Sequence, residues 1–222
     1  MLIDLHTHTA PQSWDSVLSP DELIALAKNA GLDGICLTEH DQFWPLEETE
    51  RLGKRHGFLV LPGVEITTEE GHLLAFGIDR YVFGMHRASF LKERVERAGG
   101  VIVAAHPYRR NFQEELGPWV PPYDQQVRAA SANPALGFAA AVEVLNGRGS
   151  HRENGFSLDL CHSLGMRATG ASDAHEPGDV GACATEVLAP VGDLDDLIRE
   201  LKAGRFRPVD LRNRRSPSPA RR

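Results

Sequence analysis

Cysteine is scarce, with three residues in 222, at positions 36, 161 and 183, and no CxxC pair among them. An odd number of widely spaced thiols argues against a disulfide framework and a zinc knuckle. It fits a reducing compartment, so the cytoplasm is the expected location. Long apolar runs are missing too: nothing approaches the roughly 20 residues that a spanning helix needs. The first residues enter a strand pattern without the basic-then-apolar layout of a secretory leader, so no membrane association is expected. Neither GxGxxG nor a phosphate-loop lysine motif stands at any strand-to-helix turn, which argues against dinucleotide and P-loop binding.

Charge is unevenly spread. The formal net charge is −7, yet residues 205–222 hold seven arginines against the single acid Asp210, a local +6 that leaves −13 on residues 1–204. An acidic body argues against general nucleic-acid binding. The Arg-, Ser- and Pro-rich run from Phe206 onward reads as a basic, disordered tail, so the folded domain is placed at 1–204 and the tail at 205–222. The functional role foreseen for such a tail is weak electrostatic contact with phosphate-rich partners, nucleic acid included.

What is present is alternation. Leu2-Ile3-Asp4-Leu5-His6-Thr7-His8 has the period of a strand with unlike faces, which puts Asp4, His6 and His8 on one side. Ser19-Pro20-Asp21-Glu22 opens a helix with a cap, a first-turn proline and acids at its N-terminus. Strands are then expected at 34–38, 58–61, 101–105, 140–145, 167–171 and 184–188, and helices near 45–56, 87–98, 124–132, 153–164 and 193–203. Residues 62–78 read as a turn between two extended segments. Alternating β and α elements point to a parallel sheet with helical crossovers. Polar clusters fall mostly at the C-terminal ends of the strands, where a barrel gathers its chemistry. An open doubly wound sheet is the alternative, and the barrel is favoured.

The candidate ligands are His6, His8, Asp15, His40, Glu65, His72, His106, Asp173 and His175. Singly, a strand-end histidine can cap a carbonyl and a lone acid can pair with an arginine. Asp173 and His175, however, repeat the i, i+2 spacing of His6 and His8. Imidazoles mixed with carboxylates suit zinc, manganese or iron, whereas calcium and magnesium prefer oxygen. The absence of cysteine from the set argues against a structural zinc site. More ligands than one ion uses imply two or three ions, with Glu65 able to bridge and a bridging hydroxide as nucleophile. Asp4 is read as orienting a ligand imidazole, and Asp41 as an outer-sphere partner or proton carrier. Arg109 and Arg148 are the candidate phosphate forks. Trp14, Phe43 and Trp44 sit on the first loops, where packing is favoured over stacking on a base. His56, His86, His151 and His162 read as surface or packing residues.

DLHTHT at 4–9, LTEHD at 37–41, PGVEI at 62–66, AAHP at 104–107 and GASDAH at 170–175 together resemble the PHP (polymerase and histidinol phosphatase) superfamily of metal-dependent phosphoesterases, from residue 2 to about 189. The resemblance implies a distorted seven-stranded (β/α)7 TIM-like barrel with a di- or trinuclear metal centre. It implies His6, His8, Asp15, His40, Glu65, His106, Asp173 and His175 as ligands, His72 as a further one, and Glu65, Asp173 and His175 as the catalytic set. The expected activity is hydrolysis of a phosphate ester on a small molecule or short nucleotide. Alternatives are histidinol-phosphate phosphatase, an enzyme of nucleotide ends, or a non-catalytic metal-binding scaffold. Where the family usually has Ser-Asp-Gly in its first loop, this chain reads Ser13-Trp14-Asp15-Ser16.

Overall fold

The structure, a computed structural model, describes residues 1–114 and 119–212. Along them run β1 (Leu2–Thr7), α1 (Pro20–Asn29), β2 (Gly34–Leu37), α2 (Leu46–His56), β3 (Leu59–Pro62), β4 (Val64–Thr68) and β5 (Gly71–Phe76). Then come α3 (Ala88–Arg97), β6 (Val101–Ala104), the single turn α4 (Tyr108–Asn111), α5 (Tyr123–Ser131) and a 3-10 helix (Pro134–Phe138). The remainder is β7 (Ala141–Asn146), α6 (His151–Ser163), β8 (Arg167–Ala171), β9 (Cys183–Val187), α7 (Leu194–Ala203) and β10 (Phe206–Asp210). Local chemistry sets the helix ends. The Ser19 hydroxyl accepts from Glu22 N at the start of α1, and Ser150 with Glu153 forms a reciprocal capping box on α6. α2 stops at Gly57, whose φ of 56° is the left-handed conformation that glycine adopts without strain.

The α/β class holds, but the seven-stranded barrel does not. The described strands form two five-stranded mixed sheets, ordered β10-β9-β1-β2-β3 and β4-β5-β6-β7-β8. β1, β2 and β3 are parallel, as are β6, β7 and β8, while β9, β10 and the β4–β5 hairpin introduce antiparallel neighbours. Two seams separate the sheets. At one, β8 lies beside β9 without a ladder, and the Thr185 hydroxyl spans the gap: it accepts from Gly170 N at 3.1 Å and donates to Gly170 O at 2.8 Å. A side chain on Gly170 would put its Cβ 2.8 Å from Ala184 O, so only glycine allows that approach. At the other seam, Pro62 has no N–H to give, and β4 is tied instead to the segment after β2, Glu65 N to Glu39 O at 3.1 Å and Asp41 N to Glu65 O at 2.9 Å.

The expected tail starts too early. Phe206–Asp210 pairs with β9 along its length, Phe206 is buried, and Leu211 follows as a buried residue held by Ala182 O. Residues 213–222, the rest of the expected tail, lie outside the described residues.

Both sheets contribute to one shared core: Ile3 and Leu5 of β1, Leu74 and Phe76 of β5, Val101 and Val103 of β6, with Leu197, Ile198 and Leu201 of α7 against them. A second layer packs α3 and α6 on the β4–β8 sheet, and a third packs α1 and α2 on β2 and β3. Cys36, Cys161 and Cys183 are buried free thiols. Among the described residues no helix is long and apolar enough to cross a membrane.

Thr185→Val keeps the shape of the seam but leaves both backbone groups of Gly170 unpaired. It is expected to cost about 1–3 kcal/mol per orphaned group, read as a lower midpoint in urea denaturation.

Candidate metal centre

The strand ends bring the sequence candidates to one place, and the carboxylate of Glu65 lies at its middle. His72 Nδ1 and His106 Nε2 stand 2.8 and 2.9 Å from its Oε1. His40 Nδ1, His6 Nε2 and His8 Nε2 stand 2.8, 3.3 and 3.4 Å from its Oε2. Asp173 Oδ1 closes the inner group, 3.5 Å from His6 Nε2 and 3.4 Å from His8 Nε2. Farther out, Asp15 Oδ2 lies 3.4 Å from His40 Nε2 and 3.2 Å from His175 Nε2. Asp15, His40 and His72 are partly exposed, while His6, His8, Glu65 and Asp173 are wholly buried.

Burial makes these groups depend on one another. Burial alone would lift the Glu65 and Asp173 carboxyls, but His6 and its neighbouring imidazoles, with Arg109 beside Asp173, hold both well below the usual carboxylate range. Burial would push His6 down, yet Asp173, Glu65 and Glu143 raise it well above the ordinary histidine value. His8, less well served by carboxylates, is driven by burial to about 3.

Two inner imidazoles are aimed by a partner on the far nitrogen. His6 Nδ1 lies 2.9 Å from Glu143 Oε2, and His8 Nδ1 lies 3.1 Å from Ser13 Oγ, which donates to Glu39. Glu39 also accepts from Thr9 N and from Trp44 Nε1, fastening the first two loops to each other. The Asn146 amide donates to Glu143 Oε1 at 2.6 Å and to Asp173 Oδ2 at 3.1 Å, and Arg109 pairs with the same Asp173 oxygen. Asp173 is thereby left with Oδ1 facing inward. Asp41, His106 and Asp173, all at strand ends of the site, are the described non-glycine residues with positive φ, at 53°, 24° and 54°. Such conformations cost energy and persist where surroundings hold them, as at functional sites.

Some expectations change. Asp4 meets no imidazole side chain: its Oδ1 accepts from the backbone of His6 at 3.3 Å and Ser172 at 2.9 Å, and burial lifts its carboxyl to about 7. Glu143 does the orienting, and its signal was a lone acid inside the apolar run of β7. Asp41 acts on backbone, accepting from Thr67 N two residues beyond Glu65. Arg109 reaches the centre through Asp173, whereas the Arg148 side chain is exposed and only its backbone N–H is engaged, by Asn146. Ser13 and Glu39 are further participants.

The donor set fits cations. His6 Nε2, His8 Nε2, Glu65 Oε2 and Asp173 Oδ1 are buried, converge within a few ångströms and lack hydrogen-bond partners. Orphaned buried polar atoms are costly unless something binds them. Ligand atoms lie within 4.8 Å of one another in four groups: His6-His8-Glu65, His6-His106-Asp173, His8-His40-His175 and His40-Glu65-His72. Shared members give room for more than one ion.

A family profile described as PHP domain matches residues 4–150, about two thirds of the chain. The chain belongs to the PHP domain family. A second profile, described as PHP-associated, matches residues 151–206. Among relatives of this PHP domain protein, the uncharacterized protein MJ1587 of Methanocaldococcus jannaschii is 30% identical over 117 residues, 49% of this chain and 68% of its own length. A 5′-3′ exoribonuclease of Haemophilus influenzae is 36% identical over 81 residues, 35% of this chain and 29% of that protein. In structure, a two-domain protein of Bacteroides vulgatus containing a predicted PHP-like metal-dependent phosphoesterase superposes with TM-score 0.63 at 20% identity, over 95% of this chain and 64% of that one. That likeness concerns the fold.

Glu143→Gln removes the charge behind His6 and is expected to weaken Mn2+ binding by about 10- to 100-fold in calorimetric titration. A cation bound by His6 would compete with protons for an imidazole whose proton affinity Asp173, Glu65 and Glu143 raise. Metal uptake should therefore release protons and weaken as pH falls, seen as acidification of a lightly buffered solution on adding Mn2+.

Proposed function

We propose that this PHP domain protein is a metal-dependent phosphoesterase, hydrolysing phosphate esters of a small molecule or short nucleotide. The observation that carries the reading is the convergence of four partnerless buried donor atoms, from His6, His8, Glu65 and Asp173, at the ends of strands from two sheets. In this reading His6, His8, Asp15, His40, Glu65, His72, His106, Asp173 and His175 would hold two or three divalent ions, zinc, manganese or iron, and Glu65, common to two of the donor groups, could serve both.

Ions in such a site supply Lewis acidity toward phosphoryl oxygens and acidify water. The chain's own residues set the geometry. Glu143 and Ser13 fix the tautomers of His6 and His8 so that each presents Nε2 inward. Asn146 and Arg109 fix Asp173 so that it presents Oδ1. Arg109, one third exposed while paired with Asp173, would be the forked donor to a phosphoryl oxygen.

The name of the exoribonuclease relative supports a nucleotide substrate, although the match spans under a third of that protein.

His6→Ala and Glu65→Gln should each lose metal and turnover together, with p-nitrophenyl phosphate and its bis-ester as substrates under Mn2+, Zn2+ or Fe2+. A His6→Ala protein retaining full metal and full activity would overturn the ligand assignment. A fully loaded chain inert toward both esters would favour the scaffold reading.

A further inference from the structure

Asn146, the last residue of β7, is wholly buried between two carboxylates. Its Nδ2 donates to Glu143 Oε1 at 2.6 Å and to Asp173 Oδ2 at 3.1 Å, one N–H to each. Glu143 stands behind His6, and Asp173 presents its other oxygen to His6 and His8. A single planar NH2 group therefore touches both acidic flanks of the inner donor atoms and adds no charge of its own. A carboxylate in its place would have no hydrogen to give and would set a third negative charge beside two. A hydroxyl, with one hydrogen, could serve one flank only.

The amide has one workable orientation. Its Oδ1 accepts from Arg148 N and Gly149 N, both at 3.0 Å, and from the Tyr108 hydroxyl at 3.3 Å. Turned round, it would aim N–H groups at two backbone N–H donors and an oxygen at two carboxylates. α6 holds this frame from behind. Asn154, buried one turn into that helix, accepts from Asn146 N on Oδ1 at 3.0 Å. Its Nδ2 donates to Asn146 O at 3.0 Å and to Gly149 O at 3.3 Å. Both backbone groups of Asn146 are thus gripped by one side chain, and the side chain of Asn146 is free to do nothing but join Glu143 to Asp173. Buried polar networks satisfied in this way are rigid.

We propose that Asn146 is a positioning residue for metal binding, bridging Glu143 and Asp173 so that His6 Nε2 and Asp173 Oδ1 face the same point, with Asn154 holding it in place. The two flanks then move as one, because a shift of Glu143 behind His6 passes to Asp173 through a single amide. The inference rests on the phosphoesterase reading only in taking His6 and Asp173 as metal donors.

The test is calorimetric titration of Mn2+ into the full chain, stripped with EDTA and dialysed, in a cycle of four proteins: the unaltered chain, Asn146→Ala, Glu143→Gln and the two together. Asn146→Ala should weaken binding about 10- to 100-fold, the usual effect of losing an outer partner of a metal ligand. In the Glu143→Gln background the same substitution should cost about tenfold less, because part of its effect passes through Glu143. Equal losses in the two backgrounds would overturn the bridge, since a residue that only supports the fold acts independently of Glu143. If Asn146→Ala does not fold, Asn146→Ser, which keeps a donor for one flank, takes its place under the same criteria. Asn154→Ala should also weaken Mn2+ binding, and unchanged affinity would overturn its part. A readout without metal is the long-range 1H–15N spectrum of the imidazoles, in which the His6 signals should move in each Asn146 and Asn154 variant. Unmoved His6 signals in all of them would overturn the proposal. Failure of the unaltered chain to take up Mn2+ or Zn2+ would overturn the metal reading and this proposal with it. Hydrolysis of p-nitrophenyl phosphate, measured separately, decides the phosphoesterase reading on its own.

Discussion

Everything in this fold answers to the burial of Glu65. An isolated carboxylate removed from water would neutralise itself or force the structure apart. Here it stays charged because five imidazoles surround it and because the innermost of them are in turn pinned: His6 by Glu143, His8 by Ser13 and Glu39. The network is closed except at one point, where His6 Nε2, His8 Nε2, Glu65 Oε2 and Asp173 Oδ1 face each other unsatisfied. The outer partners are bonded and the inner atoms are not. That asymmetry separates a prepared cation site from an ordinary buried ion-pair cluster, in which the inner atoms would be satisfied first.

The backbone has been bent to the same end. Asp41, His106 and Asp173 follow β2, β6 and β8 and take positive φ, which a side chain with a Cβ adopts at a cost. Asp41 recovers part of it by accepting Thr67 N, and Asp173 by its bonds to Asn146 and Arg109. The turns after β6 and β8 redirect the chain, so that His106 and Asp173 present their side chains to the centre rather than continuing along the sheet.

Much of this was legible in the sequence. Period-two alternation placed His6 and His8, the cap at Ser19 forms where its motif stands, and the five short motifs with the residues near them brought the ligand candidates together. Long-range pairing was the illegible part. Alternation of strands and helices cannot say whether a sheet closes, and the division into two sheets falls here at the Thr185 hydroxyl and at Pro62, neither of which announces a seam. β10 was hidden by its composition: Arg207 and Pro208 in Phe206–Asp210 resemble a tail, yet charge and proline are what edge strands carry. Arg148 shows the limit of adjacency, since a position next to a strand end does not reveal which way a turn sends its side chain. Glu143 shows the reverse, a single acid in an apolar strand whose meaning depended on a partner 137 residues away.

The division into two sheets has a mechanical consequence. His6, His8, Asp15 and His40 lie on or just after strands of one sheet, and Glu65, His72, His106, Asp173 and His175 belong to the other. A cation shared by both sets would be a cross-brace over seams that have few backbone ladders of their own. Its binding energy would add to the work of prising the sheets apart. Amides flanking the seams, such as Gly170 and Glu65, would exchange with solvent through an opening that the braced protein suppresses and the stripped protein permits.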